Sequence, residues 1–387
     1  MPEPVIVACG RSPIGRAGKG SLVDWRPDDL GAHVLRAVLD QVPALDPSTI
    51  EDVLCGCGRP GGESGFNLGR AISLLARIDA PGTTVTRHCG SSLQTTRMAA
   101  HAIRAGEGDV FASVGVEAVS RYVNGTSDLP AARNPRLQAA NPEGLPELYL
   151  AMGLTAENVA DQEGVTRDEM DAFAVRSQAR AVAAQRDGYF AREIIPVPLA
   201  GGRVLDRDDG PRPGTTLEVL AALSPAFRED GRVTAGNSCP LNDGAAAVIV
   251  LSDTRAAQLG LQPLARIVAT GVSALRPEVM GLGPIEASRQ ALRRAGLTIQ
   301  DIDIVEINEA FAAQVIPAAR GIGLDPMGEA LNPFGGAIAL GHPFGMTGAR
   351  ITCTLLNGLR TRDQTLGLET MCVGGGQGMA MVLERLA

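Results

Sequence analysis

The chain has 387 residues, 45% hydrophobic but only 3% aromatic, which predicts more than one ordinary core, built from Ala, Val, Leu and Ile. Its net charge of -8 argues against a nucleic-acid partner, and no apolar run reaches the roughly 20 residues that span a membrane. Seven cysteines, scattered and odd in number, fit a reduced, cytoplasmic setting rather than a disulfide framework.

Strand and helix signals alternate along the chain, which predicts an α/β fold. Val5-Ile6-Val7-Ala8 opens as a strand with no leader before it. Asp28 to Val42 reads as an amphipathic helix, and Val53-Leu54-Cys55-Gly56 as a strand. Leu93 to Ala105 is a helix stopped by Gly106, and Val110 to Val116 is an apolar strand. From Arg121 to Arg232 the pattern changes to turn clusters such as Asn141-Pro142-Glu143-Gly144, with a charged, Ala-rich helix at Arg167 to Gln185. That stretch reads as an insertion covering a site. Pro284 to Ala295 and Ile302 to Ile307 then resume the helix and strand plan. Val53 precedes Cys89 by nearly the interval that separates Val305 from His342. An internal duplication follows, with a reactive residue before a helix in each half.

Three side chains sit in small-residue settings suited to chemistry: Cys89 before Gly90-Ser91-Ser92, His342 after Gly341 and before Pro343, and Cys372 before Gly374-Gly375-Gly376. A helix N-terminus at Cys89 would lower its thiol pKa from about 8.5. Gly341 and Pro343 predict a tight, exposed turn at His342. His33 and His101 fall in helical patterns, and His88 abuts Cys89, where adjacent side chains diverge. The glycines after Cys372 can free N–H groups for an oxyanion. Asn308 could cap a helix or aim its amide at a bound water; both roles are open. Cys55 and Cys57 have the look of a metal pair but lack matching ligands, so structural cysteines are expected and no metal. The Gly374 run lacks the strand–turn–helix fingerprint of a dinucleotide site. Lys19 is the only lysine, so fixed positive charge is almost all Arg, which suits phosphate binding.

Taken together, Cys89 to Gln94, Thr234-Ala235-Gly236-Asn237, Asn242 to Ala247, Asn308 to Ala312, Gly335 to Pro343 and Cys372 to Gly378 resemble the thiolase family across essentially the whole chain. The resemblance implies a five-layered αβαβα fold. Residues 1–118 with 242–265 would form one half, 119–241 a loop domain, and 266–387 the second half. It implies CoA-dependent cleavage of 3-ketoacyl-CoA through an acyl-enzyme on Cys89, with His342 activating it and Cys372 serving the α-carbon as acid/base. Asn308 would hold a water that with His342 forms one oxyanion hole; the N–H groups of Cys89 and Gly374 would form the other. Arg212, Ser238 and Cys239 would contact CoA, and Met152, Met280 and Phe311 would line the acyl pocket. No cofactor is implied beyond CoA as co-substrate, and a homodimer or homotetramer is expected.

Three departures from the family pattern stand out: Thr86 for a common Asn, Cys239 for a common Ser, and Ala151 where biosynthetic acetoacetyl-CoA enzymes carry His. With Gly341-His342-Pro343-Phe344 and Cys239-Pro240, they make the chain similar to actinobacterial catabolic thiolases, including those acting on bulky lipid or steroid side chains. The alternatives are a biosynthetic acetoacetyl-CoA thiolase, a ketoacyl-synthase-type condensing enzyme and a non-catalytic thiolase-like binding protein. A Cys–His hydrolase is disfavoured by the second thiol.

Overall fold

The computed structural model describes residues 2–139 and 142–387, so Asn141 of the turn cluster lies outside the described residues. The N-terminal strands are β1 (Pro4–Arg11), β2 (Gly15–Arg16), β3 (Asp52–Gly56), β4 (Gly82–Val85) and β5 (Val110–Ala118). A small hairpin, β6 (Val197–Pro198) with β7 (Val204–Leu205), stands apart. The chain then returns through β8 (Asn242–Ser252), β9 (Ala265–Ala274), β10 (Ile304–Ile307), β11 (Leu366–Val373) and β12 (Gln377–Arg385). Hydrogen bonding orders them β10-β11-β12-β9-β1-β8-β5-β3-β4, with β2 on the start of β8. The seam between β1 and β9 is short: only Val5 with Arg266 and Ile6 with Ala265.

On each side of that seam the plan is the same. β3 and β5 are parallel, as are β10 and β11. The next two pairings are antiparallel in both halves: β5–β8 and β8–β1 match β11–β12 and β12–β9. The duplication expected from spacing is thus present in strand order and direction.

Side-chain alternation along the strands builds the layers. In β8, Ala245, Ala247, Ile249 and Leu251 face one core with α1 (Pro27–Leu39) and α2 (Leu68–Leu75). Ala246, Val248 and Val250 face the opposite core, shared with α3 (Ser91–Ala105) and α11 (Thr347–Thr361). In β12, Met379, Met381 and Leu383 join that central core. Ala380 and Val382 face a third core with α8 (Gly283–Ala295) and α9 (Ala312–Ile322). Helix, sheet, helix pair, sheet, helix: five layers result. The central helices approach backbone to backbone, since a Cβ on Gly348 would collide with Leu93.

Between β5 and β8 lie α4 (Met152–Glu163), α5 (Arg167–Arg186) and the short α6 (Leu217–Ala221). The segment α7 (Asp253–Gln258) follows β8, and α10 (Ala337–Leu340) ends one residue before Gly341. Helix α5 starts on a capping box between Thr166 and Glu169. It packs on α9 and α10, while α4 packs on α9 and the turn Pro277–Leu282. The insertion therefore packs on helices and a turn of the second half. Buried Arg11 ties it to β1, pairing with Glu193 and Asp208 at 2.7 Å each. Helix ends match expectation within a few residues, and Gly106 takes the left-handed conformation that stops α3. The expected strand from Ile302 starts later, at Ile304, because a 3₁₀ turn occupies Ile299–Asp301.

Candidate active site

Cys89 sits in the 3₁₀ turn His88–Gly90 that runs into α3, two residues before the helix starts. His342 stands in the second half just ahead of the turn Phe344–Met346 that runs into α11. These two turns pack on each other, and the His88–Gly90 turn also packs on β11, whose end carries Cys372. The hairpin Gly374-Gly375-Gly376 turns the chain back into β12, with Gly375 and Gly376 at φ 79° and 77°, where a side chain would be strained.

Three thiols lie near one another: burial first, and then the neighbouring Cys89, raises the thiol pKa of both Cys372 and Cys239. Cys89 is half-buried, Cys372 buried. The Gly374 N–H and Cys89's own N–H both face the Cys89 sulfur. They are opposed by a stronger effect: the protein packed around the thiol pushes it up to about 12. The low thiol pKa expected from a helix start is therefore not found. A single dipole end does not offset the lost hydration, and buried Glu117 adds negative charge.

His342 is also not exposed, with only 1% of its surface open. Burial, with Arg350 nearby, pulls its pKa down to about 3, so the imidazole is neutral. Its tautomer is set by Thr347. The Thr347 hydroxyl donates to the Pro343 carbonyl at 2.8 Å, which leaves its oxygen to accept the His342 Nδ1–H at 2.6 Å. Nε2 is then a lone pair, 3.3 Å from the Asn308 amide Nδ2. The His342 N–H donates to Asn242 Oδ1 at 2.9 Å. Asn308 is not a helix cap, since α9 begins at Ala312 with Phe311 as its N-cap residue. Its buried Oδ1 has no protein partner among the described residues.

Several supports escaped the sequence reading. Glu309, buried, accepts from Ser177 Oγ at 2.5 Å, Asn332 Nδ2 at 2.8 Å and the Ile338 N–H at 3.1 Å, joining the Asn308 segment to α10 and so to His342. Glu117 accepts from the Gly58 and Gly345 N–H groups at 2.7 Å each, joining the two halves below both turns. The signal for Glu309 was its place beside Asn308; Glu117, at the end of an apolar strand, gave only an acid out of pattern.

Met280, Phe311 and Cys372 share the third core, with Met152 and Cys239 at its margin. Phe227 meets Phe311 edge to face at 5.8 Å and adds a wall that the sequence did not single out. The Cys239 N–H donates to the Ala310 carbonyl at 3.0 Å. Ser238 is buried, its hydroxyl donating to the Thr234 carbonyl at 2.6 Å. Arg212 lies on the exposed rim, its N–H held by Gln178 Oε1 at 2.8 Å. Its guanidinium lies near Arg16, and neither forms an ion pair among the described residues. Among the described residues no cluster of His, Cys, Asp and Glu could hold a metal ion.

Comparison with known proteins gives a consistent result. Residues 4–254 match the family model described as thiolase, N-terminal domain, and residues 261–385 match thiolase, C-terminal domain. A 3-ketoacyl-CoA thiolase of Aeromonas hydrophila subsp. hydrophila is 44% identical over 394 residues, covering all of both chains. A 3-oxoadipyl-CoA/3-oxo-5,6-dehydrosuberyl-CoA thiolase of Escherichia coli is also 44% identical, covering 97% of this chain and 98% of that one. The crystal structure of the Bacillus anthracis acetyl-CoA acetyltransferase superposes with a TM-score of 0.91 at 37% identity, covering 100% of this chain and 99% of that one.

Proposed function

This chain belongs to the thiolase family and is a CoA-dependent acyltransferase that cleaves 3-ketoacyl-CoA, and we propose that it does so through a Cys89 acyl-enzyme, degradatively, on acyl chains longer than acetoacetyl. The observation that carries the site assignment is that the turn bearing Cys89 packs both on the turn that follows His342 and on the strand that ends at Cys372.

The reaction follows from the groups present. In the resting enzyme Cys89 is a thiol and His342 a neutral imidazole. As the Cys89 sulfur bonds to the C3 carbonyl, its proton passes to the unprotonated Nε2 of His342. The C3 oxyanion forms beside the Gly374 and Cys89 N–H groups that face the Cys89 sulfur. Collapse breaks the C2–C3 bond and leaves the acyl group on Cys89 and acetyl-CoA as its enolate. Cys372 gives the enolate carbon its thiol proton, and the thiol of the incoming CoA restores it. CoA then attacks the acyl-Cys89 thioester, and His342 returns its proton to Cys89. The new Nε2–H of His342, with a water held by Asn308, stabilises the charge on the enolate oxygen of the departing acetyl-CoA; one such donor is worth roughly 3 kcal/mol.

Arg212, with Arg16 beside it, supplies unpaired positive charge for the CoA phosphates, and Ser238 and Cys239 flank the path of its tail. We assign residues 119–241 as the cover over CoA and acyl chain. Residues 1–118 with 242–265, and 266–387, are the two catalytic halves. A second copy of the chain would seat on β4, a sheet edge bonded on one side only, beside exposed Phe66 and Leu74. No helix among the described residues is long and apolar enough to cross a membrane. The seven scattered, free cysteines suit a reduced, cytoplasmic setting for a lipid-degrading enzyme.

Ala151, exposed at the start of α4, leaves the space and removes the polar group of a His there, which supports the preference for longer chains. Each methylene in an apolar pocket is worth roughly 1–3 kcal/mol. A kcat/KM series from acetoacetyl-CoA to longer and bulkier 3-ketoacyl-CoAs should rise more than tenfold. An optimum at acetoacetyl-CoA would reverse the assignment.

A further inference from the structure

Cys372 has one side-chain partner, and that partner is held in one orientation. Its sulfur lies 3.5 Å from Oε1 of Gln314, an oxygen that can only accept, so the thiol S–H points at it. Gln314 sits in the first turn of α9, 2% exposed. Its amide cannot flip freely. Nε2 donates to Thr155 Oγ1 at 3.3 Å, and the Thr155 hydroxyl spends its own hydrogen on the Met152 carbonyl at 2.6 Å. An inverted amide would set Oε1 against that lone pair and Nε2 against the thiol. From the other side, Gly281 leaves the room that the Gln314 side chain fills; a Cβ there would collide with it. Gln314 is thus fixed from α4 of the insertion and from the turn Pro277–Leu282 of the second half.

We propose that Gln314 is a positioning residue: by accepting the Cys372 S–H it fixes where the sulfur and its proton sit relative to the α-carbon, for delivery of a proton to the enolate and for its abstraction from acetyl-CoA alike. Among the described residues, the titratable groups that face Cys372 are the thiols of Cys89 and Cys239. Orientation therefore rests on the amide. The inference depends on Cys372 being the α-carbon acid, and the experiment below separates the two.

The test uses Gln314→Met, close in volume but with no acceptor, and Thr155→Val, which leaves Gln314 in place but frees its amide to turn. Three rates are read: acylation of Cys89 by acyl-CoA, overall 3-ketoacyl-CoA cleavage, and exchange of acetyl-CoA methyl protons with D2O. Cleavage and exchange should fall at least tenfold in Gln314→Met and about three- to tenfold in Thr155→Val, while acylation stays within threefold. Should Gln314→Met not fold, Thr155→Val alone decides. Cleavage and exchange within threefold of wild type, or acylation falling in step with them, overturns the proposal. Cys372→Ser is run alongside. If it loses cleavage while the other variants keep it, only the role of Gln314 fails; if it keeps cleavage, the role of Cys372 fails first.

Discussion

Thr347→Val isolates the tautomer argument. Valine nearly matches threonine in shape but cannot accept the His342 Nδ1–H, now bonded at 2.6 Å. That N–H would be left without its acceptor in a buried site, which costs about 1–3 kcal/mol. The imidazole would relieve this by moving its proton to Nε2, the atom that must receive the Cys89 proton. If the same energy separates the two tautomers, about 1.4 kcal/mol per decade gives roughly a 5- to 150-fold drop in kcat/KM. Steady-state cleavage of a 3-ketoacyl-CoA measures it, with thermal melting as the check on folding. Thr347→Ser keeps the oxygen and should recover most of the rate. Thr347→Val within threefold of wild type, or Thr347→Ser as slow as Thr347→Val, would refute the tautomer argument.

Asn308→Ala should lower kcat by about 10²–10³ with little change in melting temperature, because it removes one oxyanion partner; a loss under fivefold contradicts that role. Cys89 in the free enzyme should be alkylated by iodoacetamide at a rate that climbs with pH through 9, since its thiol is pushed up to about 12. A plateau by pH 7.5 would instead indicate a resting thiolate. Burial raises Glu369 to about 8, so its folded carboxyl is neutral where the unfolded one ionises. The linked stability is fully present below about pH 4.5 and is lost as pH rises through 8. Glu369→Gln should flatten the fall in melting temperature between pH 5 and 9; buried Glu306, also raised to about 8, keeps it from vanishing. An unchanged slope would place the ionisation elsewhere.

Local sequence carried much of this account. Strand alternation and the repeated helix–strand rhythm gave the duplicated plan, because period-2 burial is written into runs such as Ala245 to Leu251. Cys89, His342 and Cys372 were visible through their glycine neighbours. Their protonation was not. Helix position suggested an acidic thiol and glycine and proline an exposed histidine, but the packed central layer surrounds both. The partners of the site were hidden for a related reason. Thr347, Gln314 and Glu309 act through contacts made only when distant segments meet, and each looks like an ordinary helix or turn residue in the chain.

The central claim is that the acyl group is carried on Cys89 and released by CoA. Incubating the enzyme with a 3-ketoacyl-CoA without free CoA, quenching in acid and sequencing cysteine peptides by mass spectrometry tests it most directly. The shortened acyl mass should appear on the Cys89 peptide, disappear when CoA is added, and be absent in Cys89→Ala. A stable acyl group on Cys372, Cys239 or another cysteine, or cleavage that persists in Cys89→Ala, would contradict it.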